Sequence, residues 1–336
     1  MNARLEVTGL RVRFDTDEGS VLAANGVSFS LRPGGVLAIV GESGCGKSVT
    51  AMAILGLLPP TATREGSVKL EGRELVGLSQ RRMRQIRGRE LSMIFQEPMT
   101  SLNPAFTVGF QIAEVLRRHE ALDRAAARWR AAELLDLVRI PEPGKRAGEY
   151  PHQMSGGMRQ RVMIAMAVAC NPKVLLADEP TTALDVTIQA QVLDIMRDLR
   201  EQLGTSIVLI THDLGVVADI AEDVVVMYAG HVVESGDVDT LFANPRHPYT
   251  IGLLGAVPRP DLGAGDGRGR LREIPGFVPT LREPPEACVF APRCPRADAD
   301  CRRAMPALRG QAPGQHAACV HPGPAATPAP PEAAHE

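Results

Sequence analysis

An apolar run, VLAIV at 36–40, leads directly into GESGCGKS at 41–48 and then into the helical pattern VTAMAILGLL at 49–58, which Pro59 and Pro60 end. The central stretch fits G-x-x-x-x-G-K-[ST] in the strand, loop and helix setting that this phosphate-holding motif requires. Gly41, Gly44 and Gly46 let the backbone curl so that N–H groups point inward at phosphate oxygens, and the start of the helix adds its positive dipole end. Lys47 supplies a point charge to the outer phosphates, and the Ser48 hydroxyl can ligate Mg²⁺. A plain glycine turn before a helix would need neither a lysine nor a hydroxyl at those two places.

A second apolar run, VLLA at 174–177, ends on Asp178 and Glu179, which puts two carboxylates at the C-terminal end of a strand, where α/β sheets bind ligands. Asp178 can hold the metal through water. Glu179 points elsewhere and could polarise the water that attacks the γ-phosphate. Alone, such a pair reads as a solvated strand end; beside a phosphate loop it reads as chemistry.

The chain around these motifs has 336 residues, 44% hydrophobic and 23% charged, enough for one good core and a smaller second one. Lys and Arg number 37 against 39 for Asp and Glu, so the basic excess that drives nonspecific nucleic-acid binding is absent and no nucleic-acid partner is expected. Apolar runs such as VMIAMAVAC at 162–170 stop short of the ~20 residues that span a bilayer. The opening MNARLEVTGLRVRF lacks the layout of a secretory signal, so a cytoplasmic location is expected.

Residues 4–33 read as short alternating strands, LSMIFQ at 91–96 as another strand, and the stretch from 158 to 230 as alternating helices and strands of a parallel sheet. Leu122, Ala125, Trp129, Ala132, Leu135 and Val138 step by three or four and mark one face of an inserted helix. After about residue 256 the pattern decays into Pro, Gly and Arg, so something other than an apolar core must order that part. The last 15 residues, PGPAATPAPPEAAHE, hold five Pro and are expected to be disordered.

These motifs, together with MSGGM at 154–158, ALD at 183–185, Gln96 after LSMIF and His212 in ITHD, resemble the ATP-binding subunits of ABC transporters. The resemblance runs from about 4 to 255. It implies an α/β fold: a P-loop NTPase (RecA-like) ABC ATPase core with an antiparallel β subdomain, a helical subdomain at about 98–160 and a small Cys-rich C-terminal extension. The implied division is an ATPase domain at 1–255, an extension at 256–321 and a disordered tail at 322–336.

The resemblance assigns ATP binding to Gly41, Glu42, Ser43, Gly44, Cys45, Gly46, Lys47, Ser48 and Val49, and Mg²⁺ to Ser48, Gln96 and Asp178. Phe14 resembles the aromatic that stacks on adenine, although an edge-strand Phe in a small core reads the same way. Glu179, His212 and Gln96 take the catalytic places, with His212 reaching the γ-phosphate. Ser155, Gly156 and Gly157 form the signature turn that closes on ATP held by the opposite subunit, and Asp185 links the two sites across that interface. Met154 and Met158 replace the Leu and Gln of the usual LSGGQ. A soluble ABC ATPase acting on ribosomes or chromosomes fits less well, because there is one nucleotide domain and only 178 − 47 = 131 residues separate Lys47 from Asp178, without sustained heptads.

IRGRELSMIFQEPMTSLNP at 86–104, YPHQMSGGMRQRVMIAMA at 150–167 and HPYTIGLLGAVPRP at 247–260 narrow the resemblance to oligopeptide and dipeptide importers, and GKSVTAMAILGLLP to the first of their two ATPase subunits. That implies a second, homologous ATPase as heterodimer partner, two transmembrane permeases, an extracytoplasmic peptide-binding protein and peripheral attachment to the cytoplasmic face of the inner membrane. Nickel or another small solute is the alternative cargo.

Cys288, Cys294, Cys301 and Cys319 are spaced C-x5-C-x6-C-x17-C. Four thiolates suit Zn²⁺ or an iron–sulfur cluster. The tight pairs usual for structural zinc are missing and tails of this branch look similar, so a [4Fe-4S] cluster is the expectation, with His321 as a substitute ligand and Zn²⁺ as the alternative. Cys45 and Cys170 read as ordinary small residues.

Overall fold

The computed structural model describes residues 3–17, 19–96, 101–182, 184–256 and 273–323. The chain opens with β1 (Leu5–Thr16) and β2 (Gly19–Leu31), an antiparallel pair. Leu5 and Val7 face inward, and so do Leu10 and Val12, so the alternation changes phase at Gly9. A bulge there absorbs one residue, which keeps both apolar pairs on the same face. Next come β3 (Val36–Val40), α1 (Lys47–Leu55), β4 (Ala62–Leu70), β5 (Arg73–Glu74), α2 (Gln80–Ile86) and β6 (Leu91–Ile94). A helical segment follows, with α3 (Val108–His119), α4 (Arg124–Leu137), α5 (Pro143–Arg146) and α6 (Gly156–Val168). The chain then returns to the sheet through β7 (Val174–Asp178), α7 (Val186–Leu203), β8 (Ser206–Thr211), α8 (Leu214–Ile220) and β9 (Asp223–Tyr228). It continues with β10 (His231–Asp237), α9 (Val238–Ala243), α10 (Pro248–Gly255), β11 (Arg309–Ala312) and β12 (Gln315–Ala317).

The strands form two sheets, a four-stranded antiparallel one in the order β2-β1-β4-β5 and an eight-stranded one in the order β11-β12-β10-β9-β3-β8-β7-β6. Strands β9, β3, β8, β7 and β6 are mutually parallel. Every residue of β3, β7 and β8 is buried, as expected for strands covered on both faces. Their register aligns Val40 with Thr211 and Val226, and Asp178 with Ile210. The loops leaving β3, β7 and β8 therefore emerge at one edge of the sheet.

Three sequence expectations change. Helix α1 stops at Leu55, because Gly56 adopts φ 64° and returns its N–H to the last turn, short of the expected end at 58. The strand expected at 91–96 ends at Ile94. Helix α4 forms as expected, but its buried face is Ala127, Ala131, Leu134 and Leu135, leaving Ala125 exposed and Trp129 67% exposed. The indole thus points outward rather than into the core.

Beyond residue 256 the described chain is tied to the main sheet more closely than its composition suggests. Strand β12 pairs with β10, setting Ala317 opposite Glu234 and His316 opposite Ser235. The fully buried Glu234 accepts hydrogen bonds from the Arg246 and His247 amides and from Gln315 Nε2 at 2.7, 2.8 and 3.0 Å. Val289 and Phe290 are buried in the common core, with Phe290 packed edge-on against Tyr228. Apolar contact therefore contributes to ordering this segment. The disordered tail expected at 322–336 lies, from residue 324 on, outside the described residues.

Candidate active site

The turn after β3 is shaped by two glycines that cannot be replaced without collision. Gly41 (φ 152°) would drive a Cβ into the Met227 carbonyl, and Gly46 (φ 91°) into the Ala23 carbonyl. Gly46 is also the N-cap of α1 and has no side chain to bond the first amides of the helix, so those N–H groups are free to meet an anion. Ser43 and Gly44 are exposed at the rim of the loop, Ser48 and Val49 half-buried, and Cys45 fully buried. Burial pushes the Cys45 thiol up, which fits a packing residue.

Lys47 is buried and donates to the carbonyls of Gly41 and Glu42 at 2.8 and 3.0 Å, so its ammonium lies along the inside of the loop. Burial lowers its pKa, opposed by the neighbouring acidic groups. Ser48 Oγ donates to Asp178 Oδ1 at 3.0 Å, which joins the phosphate loop to the end of β7. Burial pushes the Asp178 carboxyl up, with the Ser48 hydrogen bond acting the other way.

Three side chains converge on the next residue. Glu179 Oε2 accepts from Gln96 Nε2 at 2.8 Å and from Thr182 Oγ1 at 2.9 Å, and Oε1 lies 3.3 Å from His212 Nδ1. Burial works to raise the Glu179 pKa, but the Thr182 and His212 bonds outweigh it and hold the carboxyl below its ordinary value. Glu179 also adopts φ 47°, a left-handed conformation that a non-glycine residue keeps only when its surroundings fix it, here with its amide bonded to the Ile210 carbonyl at 2.8 Å. A carboxylate held by three side chains thus stands near a lysine, a hydroxyl and a second carboxylate, donor types that could serve a phosphate and Mg²⁺.

Other sequence-selected residues lie apart from this cluster. Ser155 caps α6 by accepting from the Met158 amide at 3.3 Å, with Gly156 and Gly157 forming the first turn. Asp185 caps α7, accepting from Ile188 at 2.9 Å. The two turns are neighbours, since a Cβ on Gly157 would come within 2.8 Å of Ile188 Cγ2. Among the described hydrogen bonds, none joins Ser155 or Asp185 to the phosphate loop. Phe14 sits in the central strand β1 opposite Val21 and Ala62, half-buried against the core.

Cys288, Cys294, Cys301 and Cys319 line one cavity, together with Phe290 and His321. All four are free thiols. Cys294 Sγ accepts the Arg296 amide at 3.4 Å and Cys319 Sγ the His321 amide at 3.3 Å, and the Cys288 amide bonds the Cys301 carbonyl at 2.9 Å. Burial raises the Cys288, Cys294 and Cys319 thiols, Cys319 to about 11, with the neighbouring thiols adding to the effect on each. An all-sulfur donor set around one cavity, with amides already directed at two sulfurs, fits a metal-held knot. Asp298, Cys301 and His321 also bring ligand atoms within 4.8 Å of one another, and His321 Nε2 lies 2.7 Å from Asp298 Oδ2.

Sequence reasoning missed several contributors. Thr182 follows the two carboxylates without belonging to a motif. Tyr249 accepts the Glu42 amide at 2.8 Å, and Arg293 bonds the Glu42 carboxylate from 251 residues away, a separation that leaves no local signal.

Residues 24–182 match the ABC transporter family model and residues 233–301 that of the oligopeptide/dipeptide transporter C-terminal region. The chain is 54% identical to a probable peptide ABC transporter ATP-binding protein of Sinorhizobium fredii, over 94% of both chains. It is 56% identical to the oligopeptide transport ATP-binding protein OppD of Bacillus subtilis, over 86% of this chain and 80% of the relative. Identity to the dipeptide transport ATP-binding protein DppD of the same organism is 52%, over 91% of each. Among solved structures, a dimeric bacterial ABC transporter cassette superposes with TM-score 0.63 at 29% identity, covering 70% of this chain and 98% of that one. A post-hydrolysis state of the same cassette, bound to ADP and phosphate, gives the same values. No helix among the described residues is long and apolar enough to cross a membrane. With its phosphate loop, paired carboxylates and signature turn on one cassette fold, the chain belongs to the ATP-binding subunits of ABC transporters, in the branch of the peptide transport ATP-binding proteins.

Proposed function

We propose that this protein hydrolyses ATP to power import of dipeptides or oligopeptides through an ABC transporter. The observation that carries the reading is the convergence of Gln96, Thr182 and His212 on Glu179, next to the Ser48–Asp178 contact. Gly41 to Val49 bind the triphosphate through backbone amides and Lys47, and Phe14 stacks on adenine. Ser48 and Gln96 would hold Mg²⁺ directly and Asp178 through water; the ion supplies charge neutralisation at the phosphates. Glu179 orients the attacking water and takes its proton, with His212 contacting the γ-phosphate.

Ser155, Gly156 and Gly157 face the nucleotide held by a second, homologous ATPase, and Asp185 links the two sites. The pair sits on the cytoplasmic face of the inner membrane beneath two permeases, supplied by an extracytoplasmic peptide-binding protein. A groove between α3 and α4, lined by Phe110, Glu114, Arg117, Arg128 and Trp129, offers exposed aromatic and charged side chains for a permease segment to dock. That role gives the outward-facing Trp129 a purpose. We assign 1–255 to the ATPase, with the helical part at about 98–160, and 256–321 to the extension.

The four tail cysteines hold a [4Fe-4S] cluster in this reading, which would cross-link four points of the extension; the missing tight cysteine pairs favour it over Zn²⁺. Iron and labile sulfide in anaerobically purified protein support the cluster, and a colourless protein with one zinc opposes it.

The transport reading is tested in proteoliposomes that contain the complete complex. Peptide-loaded binding protein should stimulate ATP hydrolysis, and Glu179→Gln should abolish both turnover and uptake while retaining ATP binding. Stimulation by a nickel-loaded rather than a peptide-loaded binding protein would reassign the cargo, and undiminished turnover in Glu179→Gln would remove the assigned base.

A further inference from the structure

Among the described residues of the extension, Arg293 reaches the phosphate loop directly, through Glu42. Arg293 lies one residue before Cys294, in a short turn that its amide closes on the Phe290 carbonyl at 2.9 Å. Its side chain is only 5% exposed. All five guanidinium N–H groups have acceptors. Nε donates to the Pro275 carbonyl at 2.7 Å, and the two terminal nitrogens grip both oxygens of Glu42 at 2.7 and 3.0 Å. The remaining two donors reach Tyr228 Oη at 3.4 Å and the Ile274 carbonyl at 3.0 Å. A bidentate, charge-assisted pair of this kind is among the stronger polar contacts a fold can make, and it is directional.

Glu42 is the second residue of the phosphate loop. Its amide donates to Tyr249 Oη at 2.8 Å and its carbonyl accepts from Lys47 Nζ at 3.0 Å. Arg293 therefore fixes the side chain of a residue whose backbone holds the loop lysine. The opposite end of the connection is equally short. Phe290 packs on Tyr228 and Tyr249 with ring centroids 5.1 and 5.4 Å apart, and lines the cysteine cavity. A continuous set of packed groups thus runs from the four sulfurs through Phe290 and Arg293 to Glu42 and Lys47.

The geometry points to Arg293 as a positioning residue for the phosphate loop, through which the integrity of the cysteine knot sets the affinity of the ATP site. An intact knot holds the turn 291–293, and the guanidinium keeps the first part of the loop in its nucleotide-binding shape. When the cysteines are not held together, the turn relaxes, Glu42 loses its partner and the loop pays an ordering cost on binding ATP. This inference rests on the reading that the loop Gly41 to Ser48 holds the triphosphate. Arg293 itself touches no reacting atom in this account.

The test uses the full chain assembled with its partner subunits and purified without oxygen, with Mg–ATP as the titrated ligand. Arg293→Gln and Glu42→Gln should each weaken ATP binding by about three- to thirty-fold, the range expected for residues on a coupling network. The double variant should be no weaker than the worse single one, because both break the same contact. In Arg293→Gln the KM for ATP should rise by more than kcat falls. Cys294→Ser should give a similar loss of affinity, and adding Arg293→Gln to it should add nothing.

Additive losses, or an Arg293→Gln protein with a lower melting temperature but unaltered ATP affinity, would reduce Arg293 to a structural brace and overturn the inference. Wild-type affinity in Cys294→Ser would overturn the link to the knot. Should Arg293→Gln fail to fold, Glu42→Gln in the half-exposed loop carries the same comparison against Cys294→Ser. Failure of the underlying reading looks different: wild type would bind no ATP, or Lys47→Ala would bind it equally well.

Discussion

Gln96 Nε2 donates to Glu179 Oε2 at 2.8 Å, while His212 faces the other oxygen of the same carboxylate at 3.3 Å. Gln96 follows the end of β6 and His212 the end of β8, so side chains from the two strands that flank β7 meet the carboxylate carried at the end of β7. Gln96→Ala removes one of the two donors to Oε2 and leaves Thr182 alone there. Misplacement of a reacting group by an ångström can cost about 10²-fold in rate. At saturating Mg–ATP the variant should therefore lose on the order of tenfold to a hundredfold in kcat, read as phosphate release by the assembled complex.

Gly46 tests the shape of the loop rather than its charge. Alanine there would have to hold φ 91° and push against the Ala23 carbonyl. Strain of this type costs about 1–3 kcal/mol before the collision is counted. Gly46→Ala should lower the urea midpoint of unfolding and abolish ATP binding, whereas Gly44→Ala, with no neighbour within 4 Å, should affect the midpoint less. Equal midpoints for the two variants would contradict the packing argument.

The antiparallel sheet carries its own pH signature at Glu74. Its Oε1 accepts three amides, from Val68, Leu75 and Val76, at 2.9, 3.0 and 2.9 Å. Burial works to raise its pKa, but the bonds from Ser67 and these amides prevail and hold it below the ordinary 4.5. A carboxyl lowered in the folded state adds stability that is fully present above its unfolded pKa and is lost as pH falls through the folded value. Wild type should therefore lose more stability than Glu74→Gln as pH falls from 5 toward 3, by about 1 kcal/mol after allowing for partial exposure, measured by denaturant unfolding at each pH. Parallel curves would show that the amides do not depend on the charge.

Much of this molecule is written locally. Strands β3, β7 and β8 are continuous apolar runs, and the residues that follow them carry the chemistry, so the loop Gly41 to Ser48, the pair Asp178 and Glu179, and His212 all follow from reading strand ends. What depends on tertiary partners is not legible. Trp129 fits the helical period of its neighbours, yet stands on the exposed side of α4, because period alone does not say which face another element covers. The strand β12 is three residues long and is held between β11 and the edge that β10 offers. Arg293 looks like one of many arginines in a loop-rich segment until the fold brings Glu42 to it.

The central claim is that the glycine loop of this chain binds a magnesium-bound nucleoside triphosphate. Calorimetric titration of Mg–ATP into the folded full-length protein tests it most directly. The account predicts one saturable site per chain, weakened at least about tenfold by Lys47→Ala through loss of a buried charged donor. Absence of binding heat at several temperatures in well-folded protein, or a Lys47→Ala isotherm that superimposes on that of wild type, would contradict it.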